Sequence, residues 1–263
     1  MVRSNGTVNP GDSVVSELRF EIPKTALFKN DAAILNIIAA KKWKRPIYFT
    51  SEYRELGFAA FLRQDGLTRR LVPVANGIVN ASWAYDKMMN KFTFGNANVK
   101  GVYFDEENRR HLNTIRLAYA EAAGNLAENG RKEDARKMLQ KCDKNMLDEN
   151  FGYGMVSRFQ QHNYVSLQFL EACYKADDKA LAEKVAKSVK RDLEQQINYY
   201  ANLNGRMQDQ FSNDSEQAAN FLRGVQQIEK MYETPMPKTT EVPATINNTP
   251  APPAQKQPGG SKK

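Results

Sequence analysis

The sequence predicts an α+β protein that is mostly α-helical, with a small N-terminal α/β part, tetratricopeptide-like helical hairpins and a disordered proline-rich tail. Apolar residues recur every three or four positions through much of residues 108–233, which is the period of an amphipathic helix. Short β-forming runs alternate with helical patterns over residues 14–75, as in small α/β units. Residues 234–263 hold seven of the eleven prolines and almost no large apolar side chain, which is typical of a disordered segment.

The first part of the chain begins with an irregular stretch. Residues 1–13 are polar and rich in turn formers, so they predict a lead-in without regular structure. Residues 15–22 alternate between apolar and polar types and predict a strand. Asn30 or Asp31 is the predicted cap of a helix that ends at about Lys42. Because apolar residues cover much of its circumference, we expect this helix to be sandwiched between other elements.

Two further strands complete the predicted α/β domain, which covers residues 14–75. They lie at 46–50 and 67–74, where β-branched and aromatic residues are concentrated, and a helix is predicted between them at 56–63. The glycines of this domain do not fall in a GxGxxG or GxxxxGK[ST] pattern. The sequence therefore predicts no phosphate-binding loop here.

Residues 76–107 predict an aromatic-rich connector that packs between the α/β domain and a helical domain at 108–233. The run Asp105-Glu106-Glu107 is interpreted as a helix start, because carboxylates are stabilised at a helix N-terminus. Its alternative is a group of catalytic carboxylates. The helix it begins is expected to end at Asn129-Gly130, which tolerates left-handed backbone angles.

The helical domain is predicted to be two hairpins and a capping helix. A helix at 132–144 follows the first turn and gives a hairpin that resembles a tetratricopeptide repeat, although no tryptophan marks it and Leu147 stands where the consensus has proline. The second hairpin turns at 176–178. Its turn lies 47 residues after Gly130, whereas a regular array repeats every ~34 residues, so the pair is diverged. A last helix at 213–232 is expected to cap the stack.

Composition excludes some classes of function. The net charge is +8, of which the tail contributes +3, and basic residues elsewhere alternate with acidic ones, which is the pattern of a solvated helix face. No nucleic-acid partner is therefore predicted. No apolar run approaches the ~20 residues that cross a bilayer, and no signal sequence follows Met1.

Few residues offer catalytic or metal-binding chemistry, and no catalytic residue, metal site or cofactor is predicted. His111 and His162 fall in different helical segments. Cys142 and Cys173 are interpreted as buried thiols, with a disulfide between them as the alternative. A zinc site has no CxxC or HxxxH spacing to support it, and no GxSxG marks a nucleophile.

A candidate binding face lies on the second hairpin. Tyr164, Glu171 and Tyr174 are predicted on the inner face of its first helix, the side with which repeat proteins hold peptides. The alternative is that these aromatic side chains pack against the neighbouring hairpin or the α/β part, as aromatic residues at helical spacing commonly do.

Four motifs carry a family resemblance: KRPIYF at 44–49, GLTRRLVP at 66–73, YDKMMNKF at 85–92 and VYFDE at 102–106. In this order and spacing they resemble the C-terminal, extracytoplasmic region of bacterial polytopic membrane proteins that are like protein O-mannosyltransferases, of the GT-C glycosyltransferase type. The resemblance extends over about residues 5–205. Within the motifs we single out positions without an assigned role: Arg45, Pro46, Tyr48, Arg70 and Pro73.

The resemblance implies a location outside the cytoplasmic membrane and a non-catalytic role. The membrane part of the family, which holds its catalytic residues, has no counterpart in these residues, so the chain is expected to be a fragment or a split gene product. Its expected partners are acceptor proteins or that membrane part. Two alternatives stay open: an independent tetratricopeptide-like adaptor that binds peptides, and a small soluble enzyme built on the α/β domain.

Overall fold

A computed structural model describes residues 1–50, 53–75 and 79–233 of the chain. The fold is mostly helical with a small antiparallel sheet near the N-terminus, which confirms the predicted α+β, mostly α-helical class; the likeness to tetratricopeptide repeats stays a prediction. The strands are β1 (Tyr48–Phe49), β2 (Leu62–Asp65) and β3 (Thr68–Leu71). The helices are α1 (Lys29–Lys41), α2 (Ala81–Asn90), α3 (Glu106–Glu128), α4 (Lys132–Asn145), α5 (Asp148–Phe151), α6 (Gln161–Lys175), α7 (Lys179–Ala201), α8 (Gly205–Gln210) and α9 (Ser212–Glu233).

The sheet has the order β1-β3-β2, and both neighbouring pairs are antiparallel. A tight turn joins β2 to β3, with Gly66 at a φ of +67°, a backbone angle that favours glycine. The helix expected at 56–63 was wrong. Two short 3₁₀ turns, Arg54–Leu56 and Ala59–Phe61, lead directly into β2. The backbone N–H and C=O groups of β2 form their hydrogen bonds with β3, so they do not need the internal hydrogen bonds of a helix.

The strand expected at 15–22 was also wrong. Val15 donates its N–H to the carbonyl of Pro73 at 2.9 Å, but the segment after it does not join the sheet. Leu18, Phe20 and Ile22 nevertheless pack against the buried cluster of the N-terminal part. The alternating pattern therefore identified a buried face correctly, while strand structure required a backbone partner that the fold does not supply.

Close backbone contact shapes the N-terminal core. Its fully buried centre includes Leu56 and Phe58, and between them Gly57 has a φ of +80°. A Cβ at Gly57 would lie 1.8 Å from the carbonyl oxygen of Glu21. Only glycine lets these two chain segments approach so closely.

Helix α1 is capped by Asp31 from its third position, not by Asn30. The Asp31 carboxylate accepts the Phe28 N–H at 3.0 Å and lies 3.0 Å from the ammonium of Lys24. The Phe28 N–H and the charge of Lys24 together lower the pKa of Asp31, against the opposing effect of burial. The expectation of a sandwiched helix was wrong within the described residues: Ile34 and its neighbours cover the core, whereas Ile37 on the other side is 51% exposed.

The helical part forms the two predicted hairpins, α3–α4 and α6–α7. Gly130 makes the first turn with a φ of +80°, and Asp178 caps α7 by accepting the Leu181 N–H at 3.2 Å. Asp105 caps α3 by accepting the Asn108 N–H at 2.8 Å, so the acidic run 105–107 is a helix start as interpreted. Helix α9 packs along α7 and α6 and covers the end of the stack.

The connector between the two parts contains α2. The Tyr119 hydroxyl of α3 donates to the Met88 carbonyl at 2.6 Å, and the Lys141 ammonium donates to the same carbonyl at 2.8 Å. A Cβ on Gly66 of the sheet turn would meet Phe92 at 2.9 Å. The connector therefore contacts both parts, and the exact domain boundaries remain a prediction.

Within the described residues no helix is long and apolar enough to cross a membrane. The tail that we predict to be disordered, 234–263, lies outside the described residues.

Candidate functional site

One recess of the helical part is a groove between α3 and α6, the first helices of the two hairpins. Its volume is about 160 Å³, below the ~300 to 1,000 Å³ of typical small-molecule pockets. We call it the α3–α6 groove. Its lining residues are Val79, Ala120, Glu121, Gly124, Asn125, Glu128, Gln168, Glu171, Ala172 and Lys175.

Small residues form the floor of the α3–α6 groove. Ala120 and Gly124 on α3 face Ala172 on α6, and all three are buried. A Cβ added at Gly124 would meet no atom within 4 Å. The recess therefore exists because these positions lack larger side chains, and a larger residue at 124 would fill it.

Charged side chains form the walls. Lys175 lies 2.8 Å from Glu128 and 2.9 Å from Glu171, so its ammonium bridges the two helices. Burial lowers the pKa of Lys175, but its hydrogen bonds to the two carboxylates outweigh burial and the net shift is upward. Lys175 thus stays charged, and together with Glu121 the groove presents three carboxylates and one ammonium.

A second recess of about 170 Å³ continues the groove toward the sheet. Glu121 lines both recesses, and its two carboxylate oxygens each lie 3.3 Å from the Arg69 guanidinium. The sheet contributes Gln64 and Leu67 to this end, opposite Leu117 of α3. The α3–α6 groove and this junction recess therefore form one surface shared by the N-terminal and helical parts.

The structure separates the three residues predicted on the inner face. Tyr164 and Glu171 lie on one stripe of α6 with Gln168 and Lys175, at helical intervals of three and four. Tyr164 is 50% exposed and lies beyond the groove lining. Tyr174 is turned toward α9, where its ring stacks on Tyr232 with centroids 5.0 Å apart and planes within 3°. Tyr174 thus packs, but against α9 and not against the neighbouring hairpin or the α/β part that the alternative named.

The five family-motif positions lie in the N-terminal part and fall into three places. Arg45 and Pro46 are exposed at the edge of a small cleft with Trp43. The Arg70 guanidinium lies 5.7 Å from the centre of the Tyr48 ring and donates to the Gly6 carbonyl at 3.1 Å. Pro73 is buried. Arg70 and Pro73 therefore serve packing and chain anchoring, whereas Arg45 and Pro46 stay exposed. The role of all five positions in any function remains a prediction.

The residues that sequence reasoning missed are Glu121, Gly124, Glu128 and Lys175. A polar stripe at 121, 125 and 128 was the available signal, since these positions share one face of α3. It gave no indication of what lies opposite, because helix periodicity does not specify which helices become neighbours.

The histidine and cysteines of the helical core are placed for packing. Burial, with the nearby positive charge of Arg116, lowers the pKa of His162 to about 3. Burial raises the pKa of Cys142 to about 12 and raises that of Cys173 as well, and both are free thiols. A neutral imidazole and protonated thiols without solvent access are poor catalysts at neutral pH. Among the described residues, no group of three or more His, Cys, Asp or Glu side chains could hold a metal ion.

Comparison with known proteins gives one family match. Residues 1–90 match the family model described as TMEM260-associated domain 2. No curated protein and no solved structure shows a significant match. The matched segment contains the motifs at 44–49 and 66–73 and most of the one at 85–92, and it is consistent with the O-mannosyltransferase-like family that these motifs resemble.

Proposed function

We propose that the chain is a non-catalytic domain of a membrane glycosyltransferase-like protein, located outside the cytoplasmic membrane, that contacts acceptor polypeptides through the α3–α6 groove. The family match over residues 1–90 supports the membrane-protein context. The groove itself is the observation that carries the binding role. Its floor of small residues between charged walls suits an extended peptide, which can continue from the groove into the junction recess.

The charges of the groove define the kind of segment it accepts. Glu121, Glu128 and Glu171 supply carboxylate oxygens for peptide N–H groups or for a basic side chain, and Lys175 supplies one donor. Because charge-assisted hydrogen bonds are stronger than neutral ones, we expect preferred peptides to carry at least one lysine or arginine.

Selection from a displayed library of random peptides tests the binding role. The chain should enrich basic, extended peptides, and Gly124→Leu should lose this enrichment because the added side chain fills the floor of the groove. Gly205→Leu is the matched control, since Gly205 also has no atom within 4 Å of an added Cβ and lies outside the groove. Equal enrichment by both variants, with unchanged thermal unfolding, would exclude the groove as the site.

A transfer assay tests the non-catalytic role. The purified chain should release no sugar from polyprenyl phosphate mannose or GDP-mannose in the presence of the selected peptides. Turnover of either donor by the chain would reject this part of the proposal, whatever the result of the peptide selection.

The second candidate function is an independent peptide-binding adaptor. The 50% exposure of Tyr164 beside the groove-lining stripe of α6 favours it, because exposed tyrosines serve well as peptide contacts. Under this function Tyr164→Ala should abolish peptide enrichment, whereas Tyr174→Ala should mainly reduce stability, since Tyr174 stacks on Tyr232.

A further inference from the structure

After Lys29 at its first position, the outward face of α1 carries no charged side chain. Between positions 32 and 40 the exposed residues are Ala32, Ala33, Asn36, Ile37, Ala39 and Ala40. At the N-terminal end of the helix, Leu27 is 48% and Phe28 is 69% exposed. Solvated helix faces normally carry charged and polar side chains, and here the face is largely apolar.

A cluster of cations follows this face directly. Lys41, Lys42, Lys44 and Arg45 surround Trp43 in the loop at 41–45, and none of the four has a carboxylate within 4.0 Å among the described residues. Lysines of the helical part, in contrast, are commonly paired, as Lys175 is with Glu171 and Lys190 with Glu229. No acid of the described residues pairs with the cations of this loop, so they are open to an external anionic partner.

No exposed acid offsets the cations. Asp31 is the single carboxylate in residues 24–46, and it is buried and bonded to Lys24. The loop is held beside the end of the helix because the Asn5 side chain donates to the Trp43 carbonyl at 2.7 Å. The apolar face and the cations thus belong to one fixed surface, which we call the α1 surface (exposed residues of 27–45).

We propose that the α1 surface lies on an anionic phospholipid membrane. An apolar face bordered by lysines and an arginine is able to rest in the headgroup region of a membrane, with its apolar side chains toward the acyl chains. Lipid phosphates complement the unpaired cations. With 13 residues, α1 is shorter than the ~20 residues needed to cross a bilayer, so it lies in the plane of the surface. This proposal uses residues outside the α3–α6 groove and does not depend on the function proposed for it.

Co-sedimentation of the full chain with vesicles tests the proposal. The chain should sediment with phosphatidylcholine vesicles that contain phosphatidylglycerol and stay in solution with phosphatidylcholine alone. The double variant Lys42→Gln/Lys44→Gln should bind about thirtyfold more weakly, which corresponds to about 1 kcal/mol for each cation. Lys132→Gln/Lys187→Gln removes the same charge from exposed sites on α4 and α7 and should change binding by less than about twofold.

The apolar contribution is tested separately. Ile37→Gln keeps every charge and should weaken vesicle binding about threefold. In a Trp83→Phe background, which leaves Trp43 as the single tryptophan, the fluorescence should shift to shorter wavelength only when anionic vesicles are present. The two charge variants should differ most in vesicle binding at low salt. This difference should shrink as salt is added, because salt screens the attraction between the cations and the lipid phosphates. Absence of binding to anionic vesicles, or equal loss in both charge variants, overturns the proposal. The proposal is also overturned if the chain binds no vesicles but dimerises with increasing concentration and Ile37→Gln abolishes the dimer. The face would then be an interface between two copies of the chain.

Discussion

The N-terminal and helical parts each bury one arginine, and they accommodate it in different ways. Arg63 on β2 is 2% exposed. It pairs with Asp65 at 3.1 Å and Asp12 at 3.2 Å, and donates to the Thr7 carbonyl at 3.4 Å. These bonds hold the irregular lead-in against the sheet. The N-terminal part is thus fixed by long-range polar contacts in addition to its apolar cluster.

Arg116 on α3 is 1% exposed and has no carboxylate within 4.0 Å among the described residues. It donates to the carbonyls of Phe151 at 2.7 Å and Gly152 at 3.0 Å. The rings of Phe151 and Tyr153 each lie 4.4 Å from its guanidinium. Carbonyl dipoles and aromatic faces replace the ion pair, and burial lowers the pKa of Arg116. A buried arginine can therefore hold a loop in place in two ways: Arg63 does so through ion pairs with carboxylates, and Arg116 through backbone carbonyls and aromatic rings.

Arg63→Met should give the largest effect. It leaves the buried carboxylate of Asp65 without its closest cation, and breaking a buried pair costs about 3 to 5 kcal/mol. Urea unfolding measures the change, with the exposed Arg191→Met as control. Adding Asp65→Asn should restore about 1 kcal/mol, because it removes the stranded charge. Failure of Asp65→Asn to restore any stability would show that charge pairing is not what fixes this part.

Arg116→Met should cost less, about 2 to 3 kcal/mol. The Phe151 carbonyl loses its donor, at about 1 to 3 kcal/mol, and the two ring contacts of Arg116 are lost as well. The Gly152 carbonyl still accepts from the His162 ring at 2.8 Å, and the variant also removes the cost of burying a charge. Proteolysis within residues 151–154 should increase in parallel, because Arg116 holds this segment. The control is Arg110→Met, which removes an exposed ion pair with Glu107 worth at most ~1 kcal/mol. A larger loss for Arg116→Met than for Arg63→Met would reverse the comparison.

The pH dependence of stability should come in part from His162, which lies against the Phe151 ring. Its pKa is about 3 in the folded protein against 6.5 ordinarily, so the unfolded chain takes up a proton first as pH falls. The stability that the protein gains from burying a neutral His162 is fully present above pH ~6.5 and is lost as the pH falls toward ~3. From pH ~7.5 to ~5 the loss amounts to about 2 kcal/mol.

Unfolding free energies at several pH values measure this effect. His162→Gln should flatten the slope between pH ~6.5 and ~4, and His111→Gln on the exposed side of α3 serves as the matched control. An unchanged slope in His162→Gln would mean that other groups carry the acid sensitivity.

Gly124→Ala should give the smallest effect and the opposite sign. Gly124 lies inside α3 with open space at its Cβ position, so alanine should stabilise the helix by about 0.5 to 1 kcal/mol. Gly57→Ala in the N-terminal part is the contrast, since its Cβ would overlap the Glu21 carbonyl. Thermal unfolding should move up for the first variant and down for the second. A rise for both would contradict the close backbone approach at Gly57.

Much of the helical part followed from the sequence, because helix formation and capping depend on residues close together in the chain. The spacing of apolar residues located α3, α4 and α9 within a few residues, and Gly130 marked its turn correctly. Less of the N-terminal part could be predicted. The pattern at 15–22 correctly indicated a buried face. It could not reveal whether a neighbouring strand would be present to pair with this segment, and in the structure the segment is not part of the sheet.

The candidate site was predicted only in part, for the same reason. The helix pattern placed Glu171 on the face that lines the groove. It did not show that Tyr174 would face α9. Gly124 forms part of the groove floor only because α6 lies opposite it.

The sequence by itself determined where helices form, which faces are apolar and where the cations of the α1 surface stand. These are properties of residue type and local spacing. Only the tertiary structure decided that α3 and α6 enclose a groove, that Arg63 finds two carboxylates while Arg116 finds two carbonyls, and that one side of α1 stays uncovered within the described residues. Each of these depends on which distant segments become neighbours, and many different neighbours are compatible with the same local pattern.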